Sequence, residues 1–159
     1  MALTDTELAK LPTPTDTIIA QAGKDTLLYI AGPTPPDPST VNWVLVGGQR
    51  DSSLDCESDS LDASHKTSGG WKTTISGMKS WSISYSGLQV LNDSGAQIME
   101  YAYRNDVEIH VKIEFKDKSC QDGWGYVTAF KRNLSYDDVA TIETTISGDG
   151  AISAVTAAS

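Results

Sequence analysis

Cysteine, basic charge and long apolar runs are all scarce in this sequence. The 159 residues include only two cysteines, Cys56 and Cys120, in no C-x-x-C pattern, so neither a zinc site nor a disulfide framework is predicted. No apolar run approaches membrane-spanning length, and residues 1–22 lack the basic start and apolar stretch of a signal peptide. We therefore expect two free thiols, no membrane partner, and a protein made and kept in a cytoplasm.

Proline is absent from most of the chain, because all six prolines fall before residue 39. Since proline cannot donate to a sheet ladder, the early proline-containing stretches are expected to be extended arm or loop. Residues 1–22 are predicted to form an N-terminal arm, with a short helical turn at Asp5–Leu11. The apolar run Thr26–Ile30 predicts a buried first strand, which opens a single β-domain over residues 23–159.

The sequence has too few basic residues to predict a surface that binds nucleic acid. Lys and Arg number 12 against 21 Asp and Glu, which gives a net charge of −9. A chain this acidic repels phosphate rather than binding it.

The sequence after Pro38 is rich in period-two alternation, which is typical of half-buried antiparallel strands. In Lys79–Ser86 the residues Trp81, Ile83 and Tyr85 alternate with serines. The clearest strand is Val107–Phe115, in which Val107, Ile109, Val111, Ile113 and Phe115 face one way while Glu108, His110, Lys112 and Glu114 face solvent. Further strands are predicted at Val41–Val46, Gly125–Lys131, Val139–Ser147 and Ala151–Val155.

One helix interrupts the strands, over residues 94–104. Ser94 and Gln97 have capping-box spacing, and Ile98, Tyr101 and Ala102 fall on one face. One helix among about seven strands predicts a mainly β fold, namely an antiparallel β-sandwich or partly rolled barrel with the helix flanking one open side.

The segment from Gly47 to Gly77 is polar and is predicted to be a long loop, functional or ordered by a partner. Asp55, Glu57 and Asp59 have the spacing that places three carboxylates on one face of an extended chain. A solvated strand face explains them most simply. A calcium loop lacks the turn glycine and closing glutamate, and an acidic wall along a DNA conduit is the third explanation.

Catalytic motifs are absent, and only His65 and His110 could titrate near neutrality. We predict no enzymatic activity, no metal and no cofactor. Trp43 and Trp81 lie in strand patterns and are predicted in the core, whereas Trp71 and Trp124 follow glycines and are predicted at an interface. The alternative is a monomeric carbohydrate-binding β-sandwich with Trp71 and Trp124 as its platform.

Several runs of this sequence resemble the major tail proteins of long-tailed, non-contractile phages. They are VGGQRDSSL at 46–54, SGGWK at 68–72, ISGMKSWSIS at 75–84 and YDDVATIETTISGDGA at 136–151, with weaker support from GKDTLLY at 23–29. The resemblance implies a tail-tube β-sandwich flanked by a helix, with subunits joined into hexameric rings that stack into a tube. The resemblance also implies that the protein is located in the virion tail, which is assembled in the host cytoplasm. Under the alternative interpretation, the carbohydrate-binding β-sandwich belongs to a phage adhesin or baseplate.

The same resemblance implies partners and a role for particular residues. The loop 51–76 is expected to reach a neighbouring subunit or ring, and tape measure, tail terminator and distal tail proteins are implied partners. The predicted inter-subunit interface comprises Gly69, Gly70, Trp71, Lys72 and Trp124. DNA is expected to pass through an acidic lumen without specific binding, and the lumen candidates are Asp55, Glu57, Asp59, Glu108 and Glu114.

Overall fold

The computed structural model describes residues 23–33 and 41–157, together with Thr6. A 3₁₀ turn, Gly23–Asp25, precedes the first strand. The elements of these residues are β1 (Leu27–Ala31), β2 (Trp43–Leu45), β3 (Gln49–Asp62), β4 (Thr74–Leu88), α1 (Ser94–Asn105), β5 (Ile109–Glu114), β6 (Cys120–Asn133) and β7 (Thr141–Gly148). The predicted N-terminal arm, its helical turn and most of the proline loop lie outside the described residues.

All seven strands belong to one antiparallel sheet in the order β2-β1-β5-β6-β7-β4-β3. The sheet is rolled, since side chains from strands near its two ends meet in one core. Leu28 and Ile30 of β1 belong to the same buried cluster as Ile83 and Tyr85 of β4. The helix adds Met99 and Ala102 to that cluster, with most of its contacts to β6. The predicted mainly β fold with one flanking helix is confirmed.

Period-two alternation located the buried faces of β4 and β5 correctly. On β4, Trp81, Ile83 and Tyr85 are at most 5% exposed, and on β5 Ile109 and its two alternate neighbours are at most 6% exposed. Each such side chain contributes roughly 1.5–3 kcal/mol by leaving water. The predicted strand Val107–Phe115 is too long, because β5 starts at Ile109 and ends at Glu114, and Val107 is 41% exposed.

The Trp81 ring packs closely against two positions that are occupied by glycine. A side-chain carbon added to Gly148 or Gly123 would collide with the Trp81 ring, so neither position has room for a side chain. The Trp81 indole Nε1 donates a hydrogen bond to the Gly150 carbonyl at 3.0 Å. The ring therefore ties β4 to both β6 and the end of β7.

The helix is capped one residue earlier than predicted. Asp93, and not Ser94, is the N-cap, and its carboxylate accepts a hydrogen bond from the Ala96 amide at 3.2 Å. A carboxylate there also opposes the positive helix N-terminus. The same carboxylate accepts from the Gly47 amide, so it joins the helix to the entry of β3. Ala102 is buried as predicted and Ile98 is half-buried, but Tyr101 is 62% exposed and the buried position beside them is Met99.

The Asp93 junction also holds a buried tyrosine. The Tyr85 hydroxyl donates to the Gly47 carbonyl at 3.1 Å. Burial, with the negative charge of Asp93, raises the pKa of Tyr85 to about 12. The Gln49 side chain completes the junction by bonding the amide and carbonyl of Leu28.

The segment predicted as a long loop is a β-hairpin. Strands β3 and β4 pair continuously from Gln49↔Gly87 to Asp62↔Thr74, with irregularities near residues 50 and 59. Only residues 63–73 form the connecting turn. The prediction of a loop over 51–76 was wrong because side chains in the outer half of the hairpin are exposed on both faces, which removes the alternation that marks a strand.

The predicted strand at Ala151–Val155 is also wrong. This segment has no strand, and a single bridge joins Thr156 to Cys120. The segment is held by Ser153, whose amide donates to the Asp122 carbonyl and whose hydroxyl donates to the Asp122 carboxylate. Cys56 and Cys120 are both free thiols.

Candidate assembly surfaces

The outer half of the hairpin, residues 57–80, projects from the body and is called the arm. Every residue in it is exposed apart from Ala63, Ser68 and Gly77, which are half-buried. Its apolar side chains are not covered by this chain, since Leu61, Trp71, Ile75 and Met78 are each more than half exposed. A two-stranded ribbon without a packed face is marginally stable in water, so the arm has the properties of a segment that needs a partner.

The turn of the arm, residues 63–73, is called the tip. It is ordered by its own hydrogen bonds, including His65 amide to Ser68 Oγ at 3.0 Å and Trp71 amide to Ser68 carbonyl at 3.2 Å. Gly69 and Gly70 have φ of +66° and +81° with open space around them, so the left-handed backbone requires glycine there. This backbone presents Trp71, which is 81% exposed, and the exposed Lys72.

A second surface is the side of the sheet that faces away from the core, across β3, β4, β7 and β6. The pairings Ser53↔Ser84, Ser82↔Ser147 and Ser84↔Thr145 place small hydroxyl side chains side by side. We call this surface the hydroxyl face. Its hydroxyl residues include Ser53, Ser80, Ser82, Ser84, Ser86, Thr145 and Ser147.

The hydroxyl face carries an excess of negative charge. Asp55 and Glu57 pair with Ser82 and Ser80 on this side and are exposed, and the next alternate residue, Asp59, is exposed at the irregularity between Ser58 and Ser60. None of the three forms an ion pair within the described residues. The only lysine that the strand register places here, Lys131, lies 3.7 Å from Glu143, so its charge is offset and the three carboxylates stay uncompensated.

The other two acidic candidates lie elsewhere. Glu114 is on β5, separated from β4 by β6 and β7 in the sheet, and it pairs with Lys112 at 3.6 Å and Lys118 at 3.2 Å. Glu108 directly precedes β5. Desolvation and a hydrogen bond with Asp149 raise the pKa of Glu108. The structure therefore brings together three of the five candidates.

An aromatic cluster on the outer side of β2, β1, β5 and β6 was missed by the sequence analysis. His110 stacks on Trp124 at 4.7 Å between ring centroids and lies 4.8 Å from Trp43. The Lys112 ammonium lies over the rings of Tyr29 and Trp43. The polar row predicted to face open solvent is thus partly covered by aromatic rings, and Trp43, predicted in the core, is half-buried on the opposite side of the sheet.

A hydrogen bond beside this cluster fixes the orientation of its histidine. His110 Nε2 lies 2.8 Å from Asp122 Oδ2. This hydrogen bond lowers the pKa of Asp122. Trp124 is half exposed here on β6, whereas Trp71 lies in the tip, so the structure does not place the two tryptophans on one platform.

Several strand edges lack partners within the described residues, and two of them flank the same four strands. β3 is the last strand of the sheet and presents 14 residues along its free edge. β6 pairs with β5 only through Cys120–Gly125, so residues 126–133 have no strand on that side. A four-stranded part of the sheet, β6-β7-β4-β3, is therefore open at both sides. Such edges readily accept another strand.

A family model described as phage tail tube protein matches residues 20–154. The chain belongs to this family. The tail tube protein is accordingly a structural component of a virion tail. No curated protein matches its sequence.

Solved structures resemble this tail tube protein in fold. The tail of an empty gene transfer agent particle, computed with C6 symmetry, matches with a TM-score of 0.73 at 22% identity over 87% of this chain and 100% of that chain. The virion of a native gene transfer agent particle matches with a TM-score of 0.70 over the same shares and at the same identity. The SPP1 tail tube matches with a TM-score of 0.67 at 15% identity, covering 82% of this chain and 77% of that one.

Within residues 23–33 and 41–157, no group of three or more His, Cys, Asp or Glu side chains could hold a metal ion. Among the residues described, no helix is long and apolar enough to cross a membrane. The surfaces with unexplained chemistry are therefore the arm, the hydroxyl face, the aromatic cluster and the two free edges.

Proposed function

We propose that copies of this tail tube protein close into hexameric rings, that the rings stack into a tube, and that viral DNA is ejected through the lumen. The observation that carries the proposal is the four-stranded sheet with free edges on both sides. Joining the β3 edge of one copy to residues 126–133 of the next is a heterologous contact. Such contacts form closed rings when the rotation per copy divides a full turn, and the C6 symmetry of the similar gene transfer agent tail supports six copies.

In such a ring the two sides of the sheet face different environments. In a ring built edge to edge, one side of every sheet faces the interior and the other faces outward. The core side is occupied by buried side chains and by the helix. The hydroxyl face is left to line the lumen, since nothing in the described chain covers it.

A lumen of this composition suits the passage of a polyanion. Serine and threonine side chains are small and uncharged, and Asp55, Glu57 and Asp59 repel phosphate. At physiological salt the repulsion extends only about 8 Å from the wall, which opposes adhesion of DNA at the surface. We propose these three carboxylates as the lumen-facing acids and exclude Glu108 and Glu114, because both lie near β5.

The arm and the aromatic cluster are proposed as further contacts between subunits. The tip presents Gly69, Gly70, Trp71 and Lys72, and tryptophan is a frequent anchor of protein interfaces. Trp124 is proposed as a second anchor. Tape measure, tail terminator and distal tail proteins complete the proposed assembly, which forms in the host cytoplasm and requires no catalysis, cofactor, membrane or specific binding of DNA.

Negative-stain microscopy and sedimentation of the purified full chain over a range of concentrations test the proposal. Rings with sixfold averages, or tubes, are expected. A 17.0 kDa monomer at every concentration, with no incorporation when tubes isolated from virion tails are added as seeds, would rule out self-assembly through these edges.

A further inference from the structure

The core of the subunit ends at β4 and leaves β3 largely bare on the same side of the sheet. Ile83 and Tyr85 of β4 are at most 4% exposed. Their partners on β3 are Leu54, which is half-buried, and Ser52, which is exposed. Cys56, the next residue on this side, is exposed as well, and of the three only Leu54 packs against the core cluster. The layer that covers the core side therefore stops one strand short of the sheet edge.

At the opposite edge of the four-stranded sheet, α1 borders β6. The Glu100 carboxylate accepts a hydrogen bond from Arg132 of β6 at 2.7 Å and another from Arg104 at 3.1 Å. The Arg132 guanidinium lies 5.0 Å from the centre of the Phe130 ring. Phe130 and Arg132 are on the core side of the sheet, because their partners on β7 are buried. The helix and these side chains thus extend the covering layer up to the free edge of β6.

A groove opens between the helix and this edge. Its volume is about 420 Å³, and Tyr103 lines it together with Phe130 and the three charged side chains. The size is within the range of roughly 300–1,000 Å³ that holds small organic groups. Because Glu100 already pairs with both arginines, an occupant does not have to bring a charge. The core-side residues of β3 between its two irregularities are all uncharged, namely Ser52, Leu54, Cys56 and Ser58.

The pairing across the sheet indicates how the two edges meet in a ring. Phe130 of β6 and Ser52 of β3 lie at the same level, because successive pairs through β7 and β4 join them. Strands in closed barrels tilt by roughly 35–45° from the axis, and four strands span about 19 Å. Ring closure with tilted strands therefore offsets one copy from the next by about 13–19 Å, which is about four to six residues.

The direction and parity of the offset are restricted too. An offset away from the arm would move Phe130 beyond Gln49, the first residue of β3, so the strands would lose most of their pairing. An odd offset would set core-side residues against the hydroxyl face. An offset of four residues toward the arm places Phe130 opposite Cys56 of the next copy, and an offset of six places Arg132 there.

We propose that Leu54 and Cys56 of one copy cover the Phe130–Arg132 groove of the next copy in the same ring. The helix of each copy then supplies the covering layer that β3 of its neighbour lacks. This inference rests on the proposed function, because it presupposes rings closed edge to edge. It adds the register of the joint and a role for α1 in lateral contact.

Cys56 provides a native probe of this joint. Phe130→Cys and Arg132→Cys, each made with Cys120→Ser, place one further thiol at the positions that the two offsets bring opposite Cys56. Opposed residues have Cα atoms about 4.5–5.5 Å apart, within the limit of about 7 Å for a disulfide. Within one chain, two strands separate β6 from β3, a distance of about 14 Å. Non-reducing gels of oxidised tubes therefore report links between copies.

Lys131→Cys, also made with Cys120→Ser, is the matched control, because it lies on the same free edge but on the hydroxyl face. Its thiol points away from Cys56 at either offset, so oxidation should not join them. A short bis-maleimide is the second reagent. It spans the distance of about 7–8 Å between diagonal neighbours, so Arg132→Cys alone reports either offset if Phe130→Cys does not fold. A variant that assembles poorly is mixed with the Cys120→Ser chain, which keeps Cys56.

The expected result is a disulfide from one of the two core-side positions, in a ladder that stops at six linked chains. The ladder should disappear when Cys56→Ser is added. Tubes that link from neither position with either reagent overturn the inference and leave the proposed tube intact. Equal disulfide formation from Lys131→Cys, or a ladder that continues beyond six chains, also overturns it. Failure of the native chain to form rings or tubes contradicts the proposed function itself.

Discussion

Strand β4 passes through two regions of opposite chemistry. In the body, Ile83 is 1% exposed and packs in the core, and Trp81 is 5% exposed in its glycine slot. In the arm, Ile75 and Met78 belong to the same strand but are 55% and 82% exposed. The body buries its apolar side chains by itself. The arm leaves them exposed, and we propose that the boundary near Trp81 separates residues that stabilise the subunit from residues that stabilise the assembly.

The largest expected effect tests this boundary with one residue type. Ile83→Ala should lower the free energy of unfolding by about 2–5 kcal/mol, because it opens a cavity in the core. Ile75→Ala, on the same strand, should change it by no more than about 0.5 kcal/mol, because the side chain is already solvated. Urea unfolding of the unassembled subunits measures both. Similar losses in the two variants would show that the arm packs against its own chain.

The next effect concerns assembly rather than folding. Trp71→Ala should leave the free energy of unfolding unchanged within about 0.5 kcal/mol and prevent tubes from forming. Loss of an interface anchor costs about 2 kcal/mol or more per contact, which makes each contact at least roughly 30-fold weaker.

Tyr136→Ala is the matched control for Trp71, since Tyr136 is fully exposed in the connection between β6 and β7. It should assemble like the native chain by electron microscopy. If Trp71→Ala forms tubes at the native concentration, the tip is not an anchor.

The difference between body and arm also explains which features were predictable from the sequence. Ile109, Val111 and Ile113 alternate because one side of β5 is buried, and alternation of this kind predicted the mainly β fold. The arm contains strands of the same hairpin but no buried side, so its sequence resembles a loop. Its regular structure follows from backbone pairing and a glycine turn, which leave little trace in residue type.

The candidate site was predictable where local spacing determines the outcome. Asp55, Glu57 and Asp59 share a face because β3 is extended, and the exposure of Trp71 follows from its place in a turn. Trp43 and His110 are neighbours only because β2, β1 and β5 are adjacent in the sheet. Long-range pairing of this kind has no signal in a single sequence, so Trp43 was wrongly predicted in the core.

A smaller effect should appear within the body at alkaline pH. The pKa of Tyr85 is raised to about 12, above the value of about 10 expected in the unfolded chain. The folded state therefore holds this proton more tightly, so the stabilisation is complete below pH 10 and is lost as pH rises from about 10 to 12. The loss attributable to Tyr85 should be about 2 kcal/mol.

Tyr85→Phe isolates that contribution. It removes the hydrogen bond to Gly47 and should cost about 1 kcal/mol at neutral pH. Its free energy of unfolding should then fall less steeply than that of the native chain between pH 10 and 12. Parallel curves would show that the Tyr85 hydroxyl titrates as if it were in water.

Reversing charges on the hydroxyl face should change the stability of the subunit least, but it should clearly change how the tube interacts with DNA. Asp55→Lys with Glu57→Lys reverses two charges on the hydroxyl face, and Asp137→Lys with Asp138→Lys reverses two in the exposed β6–β7 connection, so both variants change the net charge equally. Each should unfold within about 0.5 kcal/mol of the native chain.

Because lysines along a lumen attract phosphate, tubes of the first variant assembled with DNA should retain the DNA in sedimentation and release it as salt is added. Native and control tubes should not retain it. Equal retention of DNA by both variants would mean that net charge, and not the position of Asp55 and Glu57, governs contact with DNA. The result would then contradict the proposal that the hydroxyl face lines the lumen.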